Sequence, residues 1–594
     1  MTITEIEATR DSNRYGDSVL LLPFSSNSSK MHYLLRIAFL ATVRVVFAAP
    51  ANLKRAGAPT VTISQPQATV IGSSGSYSVE SFNGIPFAQA PTASLRLKPP
   101  QAIQTSLGTV QATGTAKACP QFNSKVNTSD FPASVIEELA PLFQTPTDAG
   151  EDCLTLDIRR PTGTEAGANL PVVVWIYGGG FEVGATSQYD GTNFVNASMT
   201  LGMPIIFVAM NYRVGGFGFM PGSEIVKDGS SNLGLLDQRL ALEWVADNIK
   251  AFGGDPTKVT IWGESAGSIS VFNQMALYDG DNTYNGTPLF RAAIMDSGSI
   301  VPADPVDGVK GQAVYDQVVE SAGCSSASDT LECLRGLDYT TLLNAANSVP
   351  GLYSYNSVAL SYLARPDGTV LTDSPETLVA SGKYASVPFI VGDQEDEGTI
   401  FALYQSNIST TTQIVDYLQS LYYFDASREQ IEELVATYVD TTSDGSPFRT
   451  GDLNNWYPQY KRIAALLGDL TFTLTRRTFL TLAATAKPAV PFWSYLSSYD
   501  YGNPILGTYH GTDVAQVFYG SLTNYPSQSI HSYYLSFIYD LDPNSLASSY
   551  MYWPKWSAGQ TLMQFFNDSG AYLADNFRQD TFDFIFASVA AFRV

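Results

Sequence analysis

Lys258-Val-Thr-Ile-Trp262 runs directly into Gly263-Glu264-Ser265-Ala266-Gly267, which runs directly into Ser268-Ile-Ser-Val-Phe-Asn-Gln-Met-Ala-Leu277. From Val259 to Trp262 every residue is β-branched or aromatic, the composition of a strand. The last stretch carries its apolar residues at helical spacing. Ser265 therefore sits on a sharp strand-to-helix turn with its hydroxyl exposed. Glycines on both sides let the backbone close up without a Cβ clash. A similar stretch, Val319-Glu-Ser321-Ala-Gly323, lacks the leading glycine and lies within a helical pattern, so it is set aside.

Outward from this turn, short apolar runs alternate with helical patterns. Pro171-Val-Val-Val-Trp-Ile-Tyr177, Pro204-Ile-Ile-Phe-Val-Ala209, Val387-Pro-Phe-Ile-Val391 and Pro491-Phe-Trp-Ser-Tyr495 read as strands. Continuous apolar runs are what strands buried on both faces require. A helical pattern from Leu235 stops at Phe252-Gly253-Gly254. The alternation predicts an α/β fold with a large, mostly parallel sheet and helices on both faces. No repeat, low-complexity linker or charge block divides residues 56–594, which read as one domain with long insertions. The chain has 594 residues, 45% of them hydrophobic, and a formal net charge of −23. That composition excludes disorder for most of the chain. The negative surface argues against nucleic acid or an anionic membrane as partner. No later apolar run is long enough to predict a membrane span.

A serine hydroxyl is a weak nucleophile until a base takes its proton, and imidazole suits that task. The chain has only 3 histidines. His32 lies in the leading segment, and His531 opens a Tyr-rich helical stretch where packing is the simpler role. His510, in Gly507-Thr-Tyr-His510-Gly-Thr-Asp513, follows the Pro491–Tyr495 strand in a loop at the sheet edge and is the candidate base. The base needs an acid, in the chain order Ser, acid, His. Gly392-Asp-Gln-Glu-Asp-Glu397-Gly supplies Asp393, Glu395, Asp396 and Glu397, and composition does not choose among them. Acyl transfer also needs N–H donors for the developing oxyanion. Gly178-Gly179-Gly180 after the Pro171–Tyr177 strand would let a backbone approach the substrate, with the N–H of Ala266 opposite.

Residues 1–30 are polar and patternless, and read as a gene-model extension ahead of a true start at Met31. Residues 31–55 read as a secretory signal and pro segment, with Ala49-Pro50-Ala51 as a small-residue cleavage site and Lys54-Arg55 as a dibasic site. The alternative is an amphipathic mitochondrial presequence. Secretion suits the four cysteines, Cys119, Cys153, Cys324 and Cys333, which allow three pairings. It also suits the N-x-S/T sequons at Asn127, Asn196, Asn285, Asn407 and Asn567. No CxxC spacing with a nearby histidine suggests a metal site.

Several further stretches carry a resemblance: Asn83-Gly-Ile-Pro-Phe-Ala88, Glu151-Asp-Cys-Leu154, Trp175-Ile-Tyr-Gly-Gly-Gly-Phe181, Asn211-Tyr-Arg213, Gly253-Gly-Asp-Pro256 and Asp396-Glu-Gly398. With the Ser265 turn and the His510 loop, they make the chain resemble the type-B carboxylesterase/cholinesterase family of α/β hydrolases. Within that family it looks like the secreted fungal lipases and sterol esterases of the Candida rugosa type. The resemblance implies Glu397 as the acid and Gly179, Gly180 and Ala266 as oxyanion donors. It also implies disulfides Cys119–Cys153 and Cys324–Cys333, and no metal or cofactor. It makes the 119–153 loop a lid, whose Phe131, Val135, Ile136, Leu139, Leu142 and Phe143 fall on one helical arc opposite Ser134, Glu137 and Glu138. Ile400 and Phe401 are candidate walls of the acyl pocket. The expected activity is hydrolysis of apolar, long-chain acyl esters by a secreted enzyme, at a lipid–water interface, with the lid face also able to form a homodimer. A short-chain or aromatic carboxylesterase with the same residues, and a non-catalytic cholinesterase-like binding protein, are the alternatives.

Overall fold

Strands rich in Val, Ile and aromatic residues build the scaffold of a mixed, eleven-stranded sheet. In chain order these are β1 (Ser73–Ser74), β2 (Val79–Pro86), β3 (Thr155–Pro161), β4 (Leu170–Ile176), β5 (Ile206–Met210), β6 (Gly254–Glu264), β7 (Ala292–Asp296), β8 (Phe389–Gln394), β9 (Phe492–Ser497), β10 (Thr561–Phe565) and β11 (Gly570–Ala574). Their spatial order is β11-β10-β9-β8-β7-β6-β4-β5-β3-β2-β1. From β5 through β10 neighbours pair in parallel, and antiparallel strands flank them at both ends. The computed structural model describes residues 57–122, 131–139, 146, 148–518, 523–545 and 549–594. The expectations for residues 1–30 and 31–55, and for Asn127, Leu142 and Phe143, lie outside the described residues.

Every residue of β5, β7, β8 and β9 is buried, as strands covered on both faces must be. Helix α1 (Ala133–Leu139) lies in the 119–153 loop; α2 (Leu233–Asn248) and α3 (Ala266–Gly280) pack against β6, and α4 (Tyr525–Asp540) packs against β4 and β6. α2 and α3 are also pinned to each other by buried amides: Gln274 Nε2 donates to Leu235 O at 2.9 Å, and Gln238 Nε2 donates to Ser270 Oγ at 3.0 Å. In the sheet centre Trp175 of β4 is paired with Trp262 of β6, their rings 4.8 Å apart edge to face. Phe518 stacks on Trp262 at 5.3 Å. Such aromatic pairs add to the apolar area that drives folding.

The strands read from sequence all form, one to four residues displaced at their ends. β1, β2, β3, β7, β10 and β11 were not among them. The Ala-Ala-Ile-Met-Asp text of β7 is only five residues long, yet it fills the gap between β6 and β8. Cys119 bonds Cys153 and Cys324 bonds Cys333, closing loops of 34 and 9 residues. Within the first loop Val135 and Leu139 are buried, as the apolar arc requires. Ile136 is instead 37% exposed, because it falls at the margin of that arc beside Glu137. Among the described residues no helix is long and apolar enough to cross a membrane.

Candidate active site

The C-terminal ends of parallel strands converge on one crevice, where the chain leaves the sheet and side chains are free of the ladder. β6 ends at Glu264 and hands over to Ser265, whose φ of 58° and ψ of −128° form a sharp, strained corner. The corner is held by Ser265 N–H donating to Asp296 O at 2.9 Å, and α3 starts at once. A Cβ on Gly267 would lie 2.0 Å from Ile176 O, so only glycine lets α3 press this close to β4.

β8 ends in the acid-rich loop, and the structure separates its four carboxylates by partner. Glu397 Oε2 lies 2.5 Å from His510 Nδ1, while its Oε1 accepts the N–H of Gln394 at 2.7 Å. Asp396 is a clamp: its N–H donates to Thr508 O at 2.9 Å, and its carboxylate accepts from Thr508 N, Ser446 Oγ and Phe448 N. This ties the acid loop to the loop that carries His510. Asp393 turns away to Arg476, Nε to Oδ2 2.6 Å, and Glu395 pairs with Arg449. His510 Nε2 lies 2.8 Å from Ser265 Oγ, which completes an unbroken chain from Glu397 through His510 to Ser265. The ring is gripped by Phe472 at 4.5 Å and Phe401 at 5.1 Å between centroids. His531 packs on Phe194 and bonds Val517 O at 2.9 Å, away from this chain. Ser321 is exposed at the end of the helix Val309–Ser321.

Gly178, Gly179 and Gly180 face the serine from the end of β4. A Cβ on Gly178 would lie 2.7 Å from Ser265 Cβ, and Gly179 and Gly180 have φ of 108° and 64°. The loop can therefore bring its N–H groups to the serine only as glycines. The N–H of Ala266 is the first of α3, one of the donors a helix start leaves without an intrahelical partner. Ser265, His510 and these glycines line a cavity of about 210 Å³. Ile400 and Phe401 line it too, as do Val301, Leu352, Tyr353, Leu363 and Phe472, which sequence reasoning missed. These come from distant insertions with no motif of their own. Only their apolar character was visible in the text.

Carboxyls crowd the floor. Glu264 Oε1 lies 3.5 Å from His510 Nε2. Burial, followed by Asp513, Glu397 and Asp296, pushes the Glu264 carboxyl well above the usual carboxylate range. Burial pushes Asp513 up likewise, and raises Asp296 to about 6 although Tyr534, Trp262 and Tyr495 donate to it. Glu264 is thus held toward its neutral form, and Glu397 is the acid that bonds the ring at Nδ1. Among the described residues no group of three or more His, Cys, Asp or Glu has the arrangement of a metal site.

The family model of the Carboxylesterase family matches residues 58–584. The chain belongs to the carboxylesterase family. It is 60% identical to secreted lipase 1 of Botryotinia fuckeliana over 91% of this chain and 95% of that one. It is 58% identical to a secreted triacylglycerol lipase of Gibberella zeae over 92% of each, and 48% identical to lipase 4 of Diutina rugosa over 91% and 98%. Among solved structures, EstA of Aspergillus niger superposes with a TM-score of 0.76 at 27% identity, covering 91% of this chain and 99% of that one. This carboxylesterase is thus an extracellular carboxylic-ester hydrolase with the α/β-hydrolase fold.

Proposed function

We propose that this carboxylesterase is a lipase-type enzyme in which Ser265, His510 and Glu397 act as a catalytic triad on apolar, long-chain acyl esters. The observation that carries this reading is the hydrogen-bonded run Glu397–His510–Ser265, at 2.5 and 2.8 Å, opening into an aromatic and aliphatic cavity. Ser265 Oγ attacks the ester carbonyl while His510 Nε2 takes its proton. Glu397 holds the Nδ1 proton and stabilises the imidazolium. The N–H groups of Gly179, Gly180 and Ala266 hold the oxyanion. Collapse of the tetrahedral intermediate returns the proton to the departing alcohol and leaves an acyl group on Ser265. Water, activated by His510, then releases the acid.

The names of the relatives, secreted lipases and a triacylglycerol lipase, support a long acyl chain. So does the 119–153 loop, where exposed Ile136 sits beside buried Val135 and Leu139, a helix able to present apolar surface to lipid. Dimerisation through the same face belongs to this proposal. Initial rates on p-nitrophenyl esters from acetyl to palmitoyl, run beside Ser265→Ala, test the reading. A maximum at long chains that the variant abolishes is expected. A maximum at acetyl or butyryl would keep the triad and assign a short-chain esterase. Equal rates in both proteins would remove Ser265 from the chemistry. Sedimentation at two concentrations tests the dimer.

A further inference from the structure

Glu182 follows the glycine loop and takes no part in the chemistry above. It is 1% exposed. Its Oε2 accepts the N–H of Leu352 at 2.8 Å, and its Oε1 has no partner. Its backbone is engaged as well. The N–H donates to Gly179 O at 3.0 Å, closing the turn of the glycine loop, and the carbonyl accepts the N–H of Phe122 at 2.9 Å. Phe122 lies three residues beyond Cys119, at the root of the 119–153 loop. Leu352 in turn presses on the glycine loop: a Cβ on Gly180 would lie 3.0 Å from Leu352 Cδ2. One residue thus joins three segments that are remote in sequence, and all three meet at the wall opposite Ser265.

We propose that Glu182 is a positioning residue for the oxyanion loop, its carboxyl holding Leu352 against Gly180 so that the N–H groups of Gly179 and Gly180 stay aimed at the substrate carbonyl. The inference rests on the reading of those N–H groups as oxyanion donors. Its chemistry is that of a neutral acid. Burial pushes the Glu182 carboxyl up to about 8, opposed only by the N–H of Leu352. The titratable groups facing it are Tyr353 and Tyr362, neither of them cationic, and Tyr353 also faces Glu264. Below pH 8 the carboxyl is uncharged and tolerated in this apolar setting. Above it, an unpaired negative charge stands beside the loop that must itself receive a negative oxygen, and that charge disfavours the oxyanion.

The test uses the full-length secreted enzyme and p-nitrophenyl butyrate below its solubility limit. Glu182→Ala removes the tie and is expected to lower kcat about ten- to a hundredfold with KM changed less than about threefold, as a misplaced catalytic group does. Glu182→Gln keeps the acceptor for Leu352 but cannot ionise. It is expected to retain kcat near pH 7 and to abolish the fall in kcat that the unmodified enzyme shows above about pH 8. Should Glu182→Ala fail to fold, the pH profile of Glu182→Gln decides alone. Wild-type kcat in Glu182→Ala, an unchanged alkaline fall in Glu182→Gln, or a flat profile to pH 9.5 in the unmodified enzyme would each overturn the inference. Ser265→Ala separates the two readings: if it is inactive while Glu182→Ala is fully active, only the role of Glu182 is lost.

Discussion

Asp393 and Glu397 stand in one loop, separated by Gln394, Glu395 and Asp396, and both are buried. Asp393 belongs to a balanced cluster. Arg476 reaches it at 2.6 Å and Asp575 at 2.8 Å, and Arg477 reaches Asp575 at 2.9 Å. Two guanidinium groups answer two carboxylates. Around Glu397 the sum is different: Glu264 and Asp513 gather near it, Asp296 stands beside those two, and the group that answers is the imidazole of His510. A balanced cluster stabilises one arrangement and does nothing else, because any change of protonation breaks a pair. In the acidic cluster around one imidazole, burial and neighbouring charge disfavour the ionised forms of Glu264, Asp513 and Asp296. Both regions are built of buried acids; guanidinium groups answer one and an imidazole answers the other, and the proposed triad rests on that contrast.

The strongest attempt to break this contrast is to remove groups from each side. Ser265→Ala should abolish turnover, a loss on the order of 10⁴-fold or more in kcat with the melting transition unmoved. Initial-rate assays beside circular dichroism check both halves of that statement. Glu397→Gln should leave Ser265 and His510 in place yet lower kcat by roughly 10³–10⁴-fold, because the imidazolium loses its countercharge. Asp393→Asn should do the converse. Arg476 would lose one of its two carboxylates and keep Asp575, which should cost about 1–3 kcal/mol in denaturant unfolding while kcat per folded molecule stays within about twofold. A large loss of kcat there would dissolve the distinction. Glu264→Gln sharpens it from within the site. Its carboxyl is held above the usual range by burial, so the neutral amide resembles the native form at neutral pH, and kcat should fall by less than about tenfold.

The smallest effect concerns a cation without an answer. The Nζ of Lys310 is sealed from water with no hydrogen-bond partner, and burial pulls it down to about 7. A lysine depressed by burial costs stability as pH falls from its unfolded value toward 7, and no more below 7. Lys310→Met should therefore gain stability over the unmodified protein, the gap widening as pH falls from 10 and levelling below 7. Melting temperatures across that range measure it. A gap that does not change with pH would mean that Nζ is solvated.

Much of the site was readable in linear text because its parts obey local rules. The Gly263–Gly267 turn needs a strand before it and a helix after it, and both are written beside it. The Gly178–Gly180 run follows a strand for the same local reason. His510 emerged because the chain has few histidines, and His531 lies in a helix. The acid was not readable from composition, since all four candidates occupy a span shorter than two turns of chain. What separates Glu397 from Asp393, Glu395 and Asp396 is the direction each side chain takes from the end of β8, and the partner it meets there. Leu352, Tyr353 and Phe472 escaped for a related reason. Each is an ordinary apolar residue until an insertion folds back over the serine.

The sequence by itself determined five of the central strands, the corner at Ser265, the glycine loop and the histidine, because backbone sterics and hydrophobic period act between near neighbours. Tertiary structure alone decided which carboxylate meets His510, which acids meet arginines 83 or 99 residues away, and that Glu182 grips Leu352 across 170 residues. Electrostatics and burial depend on distance in space, and distance in space is set only when the sheet brings the ends of its strands together.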